Sequence, residues 1–204
     1  MPEPKTGHHL RLLKGALEFF DALERAIDAS WHEVRLETYI FRVTASGEQV
    51  AQALIRAAQR GVAVYLVMDG VGTPSLPEPW PQRMDAAGVH WRIYSPLGRL
   101  GLLVPSRWRR LHRKLCVVDG QIVFCGGINV LDDWYDLNYF ELDAPRFDFA
   151  VQVSGPLVQD AHAAMAQFWW RLQAFQSVQS IDWAGAWQAL RISCLARSVC
   201  ASVL

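Results

Sequence analysis

The sequence predicts a layered α/β domain with a largely parallel sheet. Three observations carry this expectation. Strand-type and helix-type apolar spacing alternate along the first half of the chain, glycine or proline marks most junctions, and 51% of the residues are hydrophobic. A chain of 204 residues with 20% charged residues is long enough to bury a core and too apolar to remain disordered.

The elements follow in order. Residues 17–29 carry Leu17, Phe20, Leu23 and Ile27 at helical spacing, with charged side chains opposite, so an amphipathic helix is expected. "VRLETYIFRV" (34–43) is β-rich and alternates well enough for a strand, with Glu37 sitting oddly inside it. Residues 47–60 read as a helix stopped by Gly61. "VAVYLVMDG" (62–70) is a continuous apolar run, as in a central strand covered on both faces. Four prolines make 74–81 a loop, a short helix over 82–87 stops at Gly88, and "VHWRIY" (89–94) is a third strand.

The stretch 97–110 breaks this rhythm with glycine, proline and exposed apolar residues. "LHRKLCVV" (111–118) and "QIVFCG" (121–126) are then two strands joined at Asp119-Gly120, a strong hairpin signal. "FDFAVQVSG" (147–155) is another strand, and Pro156 opens a helix through "PLVQDAHAAMAQFWWRL". The expected organisation is one domain over 1–175 and a poorly patterned tail over 176–204.

Net charge is zero, which argues against a protein that coats nucleic acid or membrane wholesale. The distribution is uneven, however. Between Asp85 and Asp119 there is no acid, while Arg92, Arg99, Arg107, Arg109, Arg110, Arg113 and Lys114 fall there, a basic block suited to an anion. Cys116, Cys125, Cys194 and Cys200 show no metal-ligand spacing and are expected as reduced thiols of a cytosolic compartment. No signal peptide opens the chain and no run of about 18 apolar residues spans a bilayer, so any membrane is expected to be met at its surface.

The chemistry concentrates at 107–130, "RWRRLHRKLCVVDGQIVFCGGINV". On a strand, residues two apart share a face, so His112 and Lys114 project together. With Gly126, Gly127 and Asn129 after the hairpin, they make a phosphate site: lysine supplies charge, asparagine and backbone N–H groups supply donors, and glycine lets the backbone approach. A neutral imidazole attacks phosphorus if an acceptor fixes its second nitrogen, and Asp148 is the candidate acceptor. With no metal ligand set, Lys114 must neutralise the developing charge.

His112-Arg-Lys114, four residues, Asp119, six residues, then Gly126-Gly127-Ile-Asn129 resembles the HKD signature of the phospholipase D superfamily. The blocks "LETYIF", "AAQRGVAVYLVMDGVG", "AAGVHWRIYSP", "RRLHRKLCVVDGQIVFCGGINV" and "DFAVQVSGPLV" look like those of bacterial cardiolipin synthases, most like an N-terminal half. The resemblance implies an α/β/α sandwich and metal-independent phosphatidyl transfer without a cofactor. It casts His112 as nucleophile or acid, Lys114 and Asn129, with Gly127, as the phosphate-binding group, and Asp148 as the residue orienting His112. Asp119 completes the catalytic signature, although its place at the end of a strand gives it a structural look. Glu37 falls in a family block and is expected near the site. Arg107, Trp108, Arg109 and Arg110 suit an anionic membrane surface.

The chain departs from that pattern in carrying one HKD motif where cardiolipin synthases carry two. One histidine cannot serve both sides of a phosphorus at once. The expected partners are therefore a phosphatidylglycerol-type lipid, the cytoplasmic face of the cell membrane, and either a second copy of the chain or a missing second half. Truncation within a second domain is the favoured expectation. The alternatives are a homodimeric phosphodiesterase or nuclease gripping nucleic acid with the same basic block, and an incomplete fragment that binds anionic headgroups without turnover.

Overall fold

The computed structural model describes residues 6–96, 109–136 and 140–179, with Gln188, Arg191 and Ile192 as isolated helical positions beyond them. The expected tail and the residues Arg107, Trp108, Cys194 and Cys200 otherwise lie outside the described residues.

A seven-stranded sheet runs in the order β1-β9-β6-β5-β2-β3-β4. Its strands are β1 (His9–Lys14), β2 (Glu33–Thr38), β3 (Ala63–Asp69), β4 (His90–Tyr94), β5 (Leu115–Val118), β6 (Ile122–Gly126) and β9 (Phe149–Ser154). A separate two-stranded ribbon pairs β7 (Tyr135–Asp136) with β8 (Phe140–Glu141). The expected mixed α/β sheet is present, but it is not largely parallel. Only β2-β3 and β3-β4 run parallel, while the β1-β9, β9-β6, β6-β5 and β5-β2 pairs are antiparallel. Helical crossovers join β2 to β3 and β3 to β4 and impose parallel pairing there, whereas the tight hairpin imposes antiparallel pairing on β5 and β6.

Helices α1 (Gly15–Asp28), α2 (Ser46–Gln59) and α3 (Trp80–Ala87) cover one face. Their Phe19, Leu23, Ile27, Leu54 and Met84 join Val34, Leu36, Val64 and Leu66 of the sheet in the main core. Helix α4 (Leu157–Gln179) covers the other face, where Val158 and Met165 meet Val117, Val123 and Val153, and Trp169 meets Val67 and Leu111. The result is an α/β/α sandwich, with α4 continuing past the boundary expected at 175. Strand β1 was not expected from the sequence; it is an edge strand held along its length by β9.

The β5-β6 turn forms as the Asp119-Gly120 pair predicts. Both residues have positive φ, 51° and 61°, the requirement of a type I′ turn, and Gln121 N–H closes it on Val118 O at 3.0 Å. This hairpin directs β5 and β6 so that the start of β5, the end of β6 and the start of β9 lie beside the carboxyl ends of β2, β3 and β4. In open α/β sheets that end is where ligands bind.

Candidate active site

His112 and Lys114 precede β5 instead of lying within it, yet they face the same way. Lys114 Nζ lies 3.2 Å from His112 Nε2 and 3.5 Å from Nδ1, so the lysine head sits directly against the imidazole. His112 is exposed, and its ring centroid lies 5.3 Å from that of Tyr39, just past the end of β2. Lys114 Nζ is 5.8 Å from the same ring. Burial lowers the lysine pKa from its ordinary value, while the Asp148 charge pulls it back upward.

Tyr39 is a site residue that motif reading missed. Gly72 lets the loop after β3 close against it: a Cβ at Gly72 would lie 2.2 Å from Tyr39 O and 3.1 Å from its Cδ1. Thr73 Oγ1 donates to Tyr39 O at 3.3 Å and accepts from Phe41 N–H at 2.8 Å, which fixes the segment.

Asn129 sits beside that segment. Its Oδ1 accepts the Ile40 N–H at 3.1 Å, and Arg42 N–H and Val130 N–H exchange bonds with Val130 O and Ile40 O at 2.8 and 3.1 Å. With the oxygen so bonded, the Asn129 amide keeps its NH₂ as a hydrogen-bond donor. The glycine pair acts differently from the expectation for Gly127. Its N–H is committed to Phe149 O at 3.0 Å and that of Gly126 to Lys114 O at 3.4 Å, so the pair contributes space and no free donors. A Cβ on Gly127 would lie 2.2 Å from Asp148 Oδ1, and one on Gly126 would lie 2.4 Å from Phe149 O.

Asp148 therefore stands at the site, packed against Gly127, with its charge felt by Lys114. Its Oδ1 accepts the Phe149 N–H at 2.7 Å. The expected bond from His112 to Asp148 is not made; the imidazole meets Lys114 and Tyr39 instead.

Asp119 is not part of this cluster. It lies at the opposite end of β5, where its carboxylate accepts the N–H groups of Trp31, His32 and Glu33 at 2.9, 2.8 and 2.9 Å. Partial burial would raise its pKa, but those three bonds outweigh it and hold the carboxyl below its ordinary value. Asp119, expected to complete the catalytic signature, instead has a structural role, tying the hairpin to the chain entering β2.

Arg110 likewise turns inward. Its guanidinium pairs with the fully buried Asp69 at 3.2 Å and donates to Ser95 O and Oγ at 3.1 and 3.0 Å, so it braces the approach to His112 instead of facing headgroups. Asp69 Oδ2 also accepts the Leu111 N–H at 2.7 Å. Arg109 is exposed.

Glu37 is 1% exposed and lies behind the site, on the α4 face of β2, 2.7 Å from Arg113 Nη2. Burial pushes its carboxyl up to about 7 against the pull of Arg113 and Arg35. Among the described residues no group of histidine, cysteine and acidic side chains is arranged to hold a metal ion.

The described residues thus bring an exposed imidazole, a lysine and an asparagine amide to one end of the sheet. The family described as "Cardiolipin synthase, PLD-like domain" matches residues 23–143. Cardiolipin synthase B of Escherichia coli (strain K12) is 33% identical over 178 residues, covering 82% of this chain and 42% of that protein. Cardiolipin synthase 1 of Bacillus cereus is 35% identical over 124 residues, covering 61% of this chain and 24% of the relative. The chain thus spans less than half the length of either relative. Among solved structures, the phospholipase D family member Nuc from Salmonella typhimurium aligns with a TM-score of 0.55 at 19% identity, over 80% of this chain and 95% of that one. NucT from Helicobacter pylori aligns with a TM-score of 0.56 at 17% identity, over 78% and 94%. At those identities the two structures speak to the fold.

Proposed function

This chain belongs to the cardiolipin synthase, phospholipase D-like domain family, and from that premise we propose that it is the histidine-bearing half of a phosphatidyltransferase acting on phosphatidylglycerol-type lipid. The observation that carries the reading is Lys114 Nζ at 3.2 Å from His112 Nε2 beside Tyr39, with Asn129 and the glycine gap at the same end of the sheet.

In the proposed reaction a His112 ring nitrogen attacks the phosphorus of one phosphatidylglycerol. The N–P bond forms as the P–O bond to the glycerol headgroup breaks, and the departing oxygen takes a proton from a second histidine. That histidine comes from a second copy of the chain or from a second half of a longer protein. The hydroxyl of another phosphatidylglycerol then attacks phosphorus, returns a proton to the second histidine and displaces His112. Two phosphatidylglycerols give one cardiolipin and one glycerol, with no net change in charge or protons. Lys114 and the Asn129 NH₂ hold the phosphoryl oxygens, where preorganised donors contribute most.

The site is proposed to work at the cytoplasmic face of the cell membrane, with Arg109 beside anionic headgroups, each surface cation adding about 1 kcal/mol. Among the described residues no helix is long and apolar enough to cross a membrane.

Lipid mass spectrometry after incubation with phosphatidylglycerol vesicles tests the reading. Cardiolipin and glycerol should accumulate with the wild-type chain and not with His112→Ala. Cleavage of DNA that weakens with salt, without lipid turnover, would instead favour a nuclease, and turnover that survives His112→Ala would overturn the assignment.

A further inference from the structure

Residues 111–114 approach β5 ahead of its paired length, so the ladder alone does not fix which of their side chains face the reactive end. A slip of one residue in an extended segment exchanges its two faces. In this chain the odd-numbered residues are anchored on the α4 face. Leu111 is buried beside Val67 and Trp169, with its N–H held by Asp69 Oδ2 at 2.7 Å. Arg113 reaches 2.7 Å to Glu37 Oε2, and its guanidinium lies 4.9 Å over the Phe168 ring of α4. His112 and Lys114 are left to the opposite side.

From this arrangement we propose that Glu37 and Arg113 are a positioning pair that sets the face on which His112 and Lys114 are presented, so that the reactive geometry depends on a carboxylate buried behind the sheet. The proposal rests on the reading of His112 and Lys114 as the reacting pair and deepens it. Glu37 is an expensive way to achieve packing alone. Neither of its carboxylate oxygens makes a well-formed hydrogen bond among the described residues, the 2.7 Å approach of Arg113 Nη2 to Oε2 being an ion contact, and its surroundings are Arg35, Tyr65, Val67, Met165 and Trp169. The charged groups facing it are Arg35 of its own strand and Arg113; α4 and β3 present apolar and aromatic groups. Burial outweighs both cations in setting its protonation. Only the Glu37 end of the pair is buried, Arg113 being part-exposed, and a buried acid is rarely the most stable filling for such a space, so we read the pair as acting through geometry.

The experiment compares the wild-type chain with Glu37→Leu, Arg113→Leu and Arg113→Lys in three measurements. These are thermal unfolding at pH 8, turnover of phosphatidylglycerol vesicles, and the imidazole NMR signals of His112 during titration with inorganic phosphate. Glu37→Leu is expected to keep or raise the melting temperature. It should lower kcat about 10- to 100-fold, the scale of a misplacement of about 1 Å, with KM nearly unchanged, and blunt the phosphate-induced shift of His112. Arg113→Leu should lower kcat in the same way, and Arg113→Lys should recover part of it. Wild-type kcat and an unaltered His112 shift in Glu37→Leu would overturn the proposal, as would a loss of activity that merely follows the unfolded fraction. A wild-type chain that shifts at His112 with phosphate but makes no cardiolipin would count against the lipid reading alone, because the NMR comparison still decides the pair. A wild-type His112 signal indifferent to phosphate would overturn both.

Discussion

Replacing Asp119 by alanine separates a structural carboxylate from a catalytic one. The side chain accepts three backbone N–H bonds of 2.8 to 2.9 Å from the segment entering β2. Hydrogen bonds to a carboxylate reach about 1.5 to 3 kcal/mol, but this one is only partly buried, so roughly 0.5 to 1 kcal/mol apiece is the appropriate scale. Alanine must also take the left-handed φ of 51° that aspartate tolerates, which adds about 1 kcal/mol. The expected loss is about 3 kcal/mol, or a melting temperature lower by about 6 to 12 °C for a chain of this size. Asp119→Asn keeps one acceptor oxygen and the tolerance of positive φ, and should lose about 1 kcal/mol. Circular dichroism melts read the stability, and turnover well below the melting temperature reads the chemistry. Asp119→Ala should melt early and keep its kcat. An unchanged melting temperature together with a loss of activity matching His112→Ala would refute the structural assignment.

Four further outcomes are expected. Stability credited to Asp119 should be present at neutral pH and be lost as pH falls below about 4, because its carboxyl is held below the ordinary value in the fold; acid unfolding of wild type against Asp119→Asn checks this. Glu37 has the opposite sign. Its carboxyl, raised to about 7, contributes stability at acid pH that is lost between about 4.5 and 7, so Glu37→Gln should gain on wild type by up to about 3 kcal/mol across that window in denaturant melts. Gly127→Ala pushes a methyl against Asp148 and should cut phosphate affinity at least tenfold by calorimetry, whereas Gly126→Ala, which meets the β9 backbone, should mainly lower the melting temperature by several degrees. Cys116, 1% exposed with its thiol pushed up by burial, should resist alkylation in the folded chain and react in denaturant, as peptide mapping would show.

Local patterns announced most of the fold because those elements are built from nearby residues. Leu23 and Ile27 mark the buried face of α1, the run ending at Asp69 marks a doubly covered strand, and Asp119-Gly120 marks the turn it forms. Strand β1 was hidden because "HLRLLK" leaves most of its side chains exposed and owes its conformation to pairing with β9, far along the chain. The direction of the sheet was misjudged for a related reason: periodicity identifies strands, while parallel or antiparallel pairing is decided by connections that carry no period. At the site, His112, Lys114 and Asn129 were legible as a spaced motif. Tyr39 was not, because its role follows from Gly72 and Thr73 closing on it across the sheet end. The roles of Asp69 and Arg110 also depend on a contact between distant segments. Glu37 did leave a signal, a lone acid inside a strand, and only the structure joined it to Arg113.

The most direct measurement of the central claim is a search for the covalent intermediate. The wild-type chain is mixed with phosphatidylglycerol vesicles, quenched in alkali to preserve phosphohistidine, and mapped by peptide mass spectrometry. The account predicts a phosphatidyl adduct on the peptide bearing His112, absent from His112→Ala. Absence of an adduct at His112 in a chain that makes cardiolipin, or an adduct that persists in His112→Ala, would contradict it.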